Sequence, residues 1–156
     1  KNSGGTRAMS MPLTTIIEEH ETFRKACEII NEKLSTIFRH ANISAVEIMS
    51  LWRKLYNLPQ IGGYVSSAVT FQPVKIVAPG GMKVETKWYG NGASGQPLYF
   101  TVMDGDGTGA LKFYYEYRPH EISLETVKKL HAYMLKALEA GIKNDEITIG
   151  ELLNIE

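Results

Sequence analysis

The stretch from Pro97 to Gly141, PLYFTVMDGDGTGALKFYYEYRPHEISLETVKKLHAYMLKALEAG, constrains the fold more than any other. Two runs alternate with period two: Leu98, Phe100 and Val102 share one face of the first, and Leu111, Phe113, Tyr115 and Tyr117 one face of the second. A hairpin with one face buried follows. The helix that can cover that face comes next: Ser123 can accept a hydrogen bond from a free amide of the first turn, and Gly141 can adopt the left-handed conformation that ends a helix. Between them Val127, Leu130, Met134 and Leu138 recur at helical spacing and predict one apolar stripe. A sheet with a helix laid on it is the minimum core.

The remaining residues supply more of the same kinds of element. Arg7–Leu13 reads as a short extended segment. From about Glu18 to His40 the residues Phe23, Cys27, Ile30, Leu34 and Ile37 keep a helical period, with Arg24, Glu28, Glu32 and Lys33 turned to water. Ser44 and Glu47 have the spacing of a capping box, so a second helix starts there. Ile48, Met49, Trp52, Leu55 and Tyr56 are its expected buried side, and Pro59 with Gly62 and Gly63 closes it. Tyr64–Gln72 is rich in β-branched, small and aromatic residues and predicts a strand. Val65, Val69 and Phe71 share one of its faces; the other, with Ser66, Ala68 and Thr70, is small and polar. Such a face looks at solvent, at closely packed backbone or at a ligand. After the turn at Pro79–Gly81, Met82, Val84, Thr86 and Trp88 alternate in a further strand, and Tyr89–Pro97 is a Gly-rich connection too long for a tight hairpin. Ile147, Ile149, Leu152 and Leu153 tie the last segment to the core.

A chain of 156 residues with 44% apolar content supports one α+β domain with a real core, residues 1–156. Its 17 basic and 17 acidic side chains cancel, leaving no field of one sign to hold a nucleic-acid backbone or an anionic membrane. No apolar run approaches the roughly 20 residues a membrane span needs. Cys27 is the one cysteine, which excludes an intrachain disulfide and makes a cytoplasmic setting the expectation.

Chemistry-bearing motifs are sparse. Asp104, Asp106 and Thr108 alternate with glycines as calcium ligands can, but the twelfth position of such a loop, where a bidentate Glu belongs, is Tyr115; a hairpin turn is the simpler reading. His20, His40, His120 and His131 are scattered, without metal-binding spacing. His131 sits at the edge of its helix stripe, where a packed imidazole is expected rather than a general base. Cys27, on an apolar helix side, reads as an inert buried thiol, and Glu116 as a solvated or cross-strand ion-paired carboxylate. The sequence contains no Gly-x-Ser-x-Gly elbow, Walker loop or dinucleotide fingerprint. The residues alone supply no catalytic set and no metal site.

Taken in order, these elements resemble the C-terminal half of the condensation domains of nonribosomal peptide synthetases, in the superfamily of chloramphenicol-acetyltransferase-like acyltransferases. The resemblance runs from about Gly5 to Ile155. GTRAMSMPL, from Gly5 to Leu13, stands where the family has Gly-x-Phe-Val-Asn-Thr-x-x-x, with Met9 at the place of its Asn. Thr22-Phe23 opens the long helix as the family's Thr-Phe does, and His40-Ala41-Asn42 resembles the His-Gln-Asp after it. Phe71-Gln72 matches an aromatic-Gln ending the central strand. The aromatic strand, the capped helix with Leu130-His131, and Glu146–Ile149 with Glu151–Leu153 follow the family's C-terminal order.

The resemblance implies one lobe of a two-lobed fold, with a mixed or antiparallel sheet of four to five strands and helices packed on it. It also implies a parent enzyme of secondary-metabolite, or antibiotic, biosynthesis. Such an enzyme forms an amide between donor and acceptor groups held as thioesters on the phosphopantetheine arms of carrier proteins. The family's His-His-x-x-x-Asp-Gly lies in the other, N-terminal lobe and is absent here, so the isolated chain is expected to be inactive and to bind no cofactor directly. Its implied partners are that lobe and the carrier proteins. Ser66, Ala68, Thr70 and Gln72, with Met9, would line the tunnel between lobes, and the loop with Gly90, Asn91, Gly92 and Gly95 would cross to the partner lobe. The alternatives are a non-catalytic carrier-protein docking module and a CoA-dependent acyltransferase of the same superfamily. An apolar surface built to face another lobe should make the isolated chain self-associate, an expectation that a monomer at high concentration in analytical sedimentation would overturn.

Overall fold

The computed structural model describes residues 10–59, 65, 67–73, 79–82, 87, 89–90, 92, 95–104 and 110–155, apart from the side chain of Ala45. Its helices are α1 (Phe23–Arg39), α2 (Ala45–Tyr56), α3 (Leu124–Lys143) and α4 (Ile149–Leu153); its strands are β1 (Ser67–Gln72), β2 (Leu98–Met103) and β3 (Lys112–Tyr117). The chain divides into two units, Lys1–Ile61 with Ala132–Glu156, and Gly62–His131, so α3 gives its first part to the second unit and the rest to the first.

In the first unit, Thr22 caps α1 by accepting from the Lys25 amide at 3.1 Å. The start of α1 is pinned to the C-terminal segment. Thr22 and Thr148 pair as one antiparallel bridge, the Phe23 and Arg24 amides donate to Ile147 and Asp145 carbonyls at 2.8 and 2.9 Å, and the Ile149 and Gly150 amides donate to Glu21 and Glu19 carbonyls, both at 2.8 Å. Arg24 adds ion pairs to Asp145 at 2.8 Å and Glu146 at 3.1 Å, and these carboxylates hold its guanidinium above the usual value, the Asp145 hydrogen bond foremost. The helix thus begins at Phe23 rather than near Glu18, because the residues before it are bonded across to the other end of the chain.

The buried line of α1 runs through Ala26, 5% exposed, with Phe23, Ile30, Leu34 and Ile37 half-buried. Cys27 corrects the sequence reading: it is exposed. At about 100° per residue it stands a quarter-turn or more from Ala26, and the helix has rolled to place the smaller side chain innermost.

α2 starts as its sequence predicts, with the Ser44 amide donating to Glu47 Oε2 at 3.1 Å and Ser44 Oγ accepting from the Val46 amide at 3.2 Å. It ends at Asn57, which takes the left-handed conformation at φ 50°, before Pro59 is reached; a short polar side chain tolerates that region. Ile48, Met49 and Trp52 are half-buried as expected, but Leu55 and Tyr56 are exposed. They lie in the last turn, where nothing described in this unit covers them.

α4, only five residues long, depends on its cap. Thr148 donates from both its amide and its hydroxyl to Glu151 Oε2, each at 2.8 Å, and accepts from the Glu151 amide at 3.2 Å. These donors, the Thr148 backbone foremost, hold the Glu151 carboxyl below its ordinary 4.5. A lowered folded-state value means that the contribution to stability is present above the unfolded value and is lost as pH falls through the folded one. The difference in melting temperature between the native chain and Glu151→Gln should therefore be constant above about pH 5.5 and shrink below 4.5. A difference that does not change with pH would refute the cap's ionic character.

In the second unit the described strands form a mixed sheet of order β1-β2-β3, with β1 parallel to β2 and β2 antiparallel to β3. Strand pairing within the described residues therefore comprises three strands, and the strand expected over Met82–Trp88 lies outside them except for Met82 and Lys87; Ser10–Leu13 is neither helix nor strand. The turn at Pro79–Gly81 is a short 3-10 helix with φ 70° at Gly80 and 71° at Gly81. Ser123 caps α3 as read, accepting from the Thr126 amide at 3.0 Å. Val127 is 5% exposed, but Leu130 is 43% exposed. The inward line of α3 passes through Val127 and His131, one helical turn apart, leaving Leu130 about 60° to the side. Gly141 is likewise not a cap: α3 continues to Lys143, and Gly141 is buried inside it. No helix among the described residues is long and apolar enough to cross a membrane.

Candidate functional site

Strand register sorts the sheet into two faces. Phe100 stands beside Val69 and Tyr115, and Val102 beside Phe71 and Phe113; Ala68, Thr70 and Gln72 share the other face with Tyr99, Thr101, Met103, Lys112, Tyr114 and Glu116.

The aromatic face is a packing surface. Phe100 stacks on Tyr115 with centroids 4.9 Å apart and on Phe113 at 5.8 Å. His131 of α3 meets Phe113 and Tyr115 edge-on at 5.6 Å each, and its Nδ1 lies 2.8 Å from the Tyr115 hydroxyl. Burial pushes the Tyr115 phenol up from 10.0, so at neutral pH it stays protonated and can donate to an unprotonated Nδ1. His131 is thus engaged as the packed imidazole its position in the sequence suggests. At the β1 edge the same face is open: Val69 is 71% and Phe71 59% exposed.

The opposite face is small, polar and turned inward. Along β1 exposure alternates, with Ala68, Thr70 and Gln72 the half-buried set. This inverts the usual assignment of apolar residues to the inside of a strand. Thr70 Oγ1 and the Tyr99 hydroxyl are 2.7 Å apart, and Thr101, at the centre of the middle strand, is 1% exposed. A small face with hydroxyls at its middle leaves space for an extended group and offers donors and acceptors to it. It holds no activated nucleophile, and among the described residues no group of three His, Cys, Asp or Glu side chains could hold a metal. The Asp104 amide donates to the Gln72 carbonyl at 3.2 Å, while the Gly105–Gly109 part of the Asp-Gly turn lies outside the described residues.

The Gly-rich connection begins over this face. A methyl group at Gly90 would sit 3.2 Å from Glu116 Oε2, so the backbone there passes close to that side chain. Gly92 has φ 77°, a conformation that suits glycine. Gly95 is fixed at the other end, its carbonyl accepting from Arg118 Nη2 at 3.1 Å beside the Pro97 carbonyl, which accepts from the Arg118 amide at 2.9 Å. Of the residues singled out in the sequence, Ala68, Thr70 and Gln72 are therefore neighbours on one face, and Gly90 borders that face at Glu116. Met9, Ser66 and Asn91 lie outside the described residues. Sequence reasoning missed Tyr99 as the partner of Thr70. Its place in the period-two pattern, opposite in face to Leu98 and Phe100, was the available signal.

With the geometry in view, comparison with known proteins gives one direction. The sequence is similar to a plipastatin synthase of Bacillus subtilis (strain 168), 21% identical over 152 residues. That likeness links the chain to one stretch of a synthase. It covers 95% of this chain and 6% of that protein, so the chain spans a small fraction of its relative's length. No family model matches the sequence, and no solved structure matches it.

Proposed function

We propose that the chain is the C-terminal lobe of a condensation domain in a nonribosomal peptide synthetase, supplying tunnel wall and carrier-protein docking surface to a parent enzyme that forms amide bonds. The observation that carries this reading is the similarity to a synthase over 95% of the chain. The half-buried face of Ala68, Thr70 and Gln72 with the Tyr99 hydroxyl supports it. In the reaction the acceptor amine attacks the donor thioester carbonyl, the C–N bond forms, the C–S bond breaks, and the donor arm leaves as its thiol once the amine proton is transferred. The proton-transferring histidine belongs to the other lobe. This chain's part is to hold an extended arm: small side chains admit it, and hydroxyl and carboxamide groups can bond the amides of phosphopantetheine. Holding two tethered reactants in reacting geometry can contribute roughly 7–11 kcal/mol at the limit.

The decisive experiment joins the chain to an N-terminal lobe bearing His-His-x-x-x-Asp-Gly and supplies two carrier proteins loaded with aminoacyl thioesters. The joined protein should form the dipeptidyl thioester and the chain alone should not. Within it, Ala68→Trp should cut product formation on the order of 10²-fold, the scale of a misplaced reactant, without lowering the melting temperature beyond that of a surface substitution. Unchanged turnover would remove this face from the tunnel. The absence of the paired-histidine motif from the sequence favours a second reading, a non-catalytic carrier-docking module; carrier binding without product would select it. Turnover of a free acyl-CoA donor in place of the carrier-bound one would select the CoA-dependent acyltransferase.

A further inference from the structure

We draw no further inference here: the strongest candidate, the open edge of the sheet at β1 with Val69 and Phe71 exposed, is an unpartnered apolar face and nothing in the structure shows what covers it.

Discussion

Leu152→Ala is expected to lower the free energy of unfolding of the first unit by about 2–5 kcal/mol, the cost of emptying a buried leucine site. Leu152 is 5% exposed and is the apolar anchor of a helix only five residues long. Such a helix has too few internal bonds to persist alone, so its position depends on what it buries and on its cap. The backbone around it is already committed elsewhere: the Leu152 carbonyl accepts from the Tyr133 hydroxyl at 2.9 Å, and the amides of Ile149 and Gly150 bond the segment before α1. These bonds hold the walls of the site apart, so little collapse can offset the cavity. Leu153 provides the control, since it is adjacent and 56% exposed; Leu153→Ala should change stability by no more than about 0.5 kcal/mol. Urea unfolding of both variants at neutral pH separates them through the midpoint. Equal shifts would mean that α4 is held by its cap alone.

That contrast between Leu152 and Leu153 also shows what a sequence of this kind reveals. Both leucines could be assigned to a core-tethering segment from composition, but only the docked backbone decides which one points in. Signals carried by a few consecutive residues were legible. Ser44 with Glu47, and Ser123 before α3, cap helices where their spacing says they should, because a cap is satisfied within one turn. The pairing of β2 with β3 followed from two alternating runs, because a one-residue slip would turn every aromatic to the wrong face. Thr148 with Glu151 carries the same capping-box spacing as Ser44 with Glu47, and it was available to be read.

What could not be read depends on contacts between distant residues. The roll of α1 that exposes Cys27 and buries Ala26 is set by how close its neighbour can come, and a stripe identifies a helix face only to within about one residue's rotation. The exposure of Leu130 has the same origin, since His131 rather than a leucine meets Phe113 and Tyr115. On β1 the pattern gave the two faces correctly, yet their inside and outside were reversed from the usual assignment. A face of Ala68, Thr70 and Gln72 is chosen for the interior only where the neighbouring strands offer Tyr99 and Thr101 beside it. The candidate site was therefore legible as a set of residues sharing one face, while its hydroxyl pair required the register of a strand almost thirty residues away.

Gly141 gives the sharpest test of local against tertiary causes. By helix propensity alone, Gly141→Ala should stabilise the chain by about 1 kcal/mol, since Gly141 lies within α3. The opposite is expected. A methyl group there would fall 2.5, 2.6 and 2.7 Å from Cδ2, Cγ and Cε2 of Phe23, far inside the 3.5–4.0 Å at which carbon atoms attract. The ring cannot simply swing aside, because Cγ is one bond from a Cβ whose backbone is fixed by the Thr22 cap and by the Phe23 amide's bond to the Ile147 carbonyl at 2.8 Å. Overpacking of this kind costs about 1–3 kcal/mol, enough to cancel the propensity gain and leave a net loss. A double-mutant cycle isolates the cause: in a Phe23→Leu background the rigid ring is gone, and Gly141→Ala should cost less or become stabilising, giving a coupling energy within the roughly 0.5–3 kcal/mol found for residues in contact. Equal effects of Gly141→Ala in both backgrounds would separate the glycine from Phe23 and return it to a purely local role. A loss confined to the Phe23 background would identify Gly141 as the point where α3 comes close enough to α1 for an aromatic ring to lie against bare backbone.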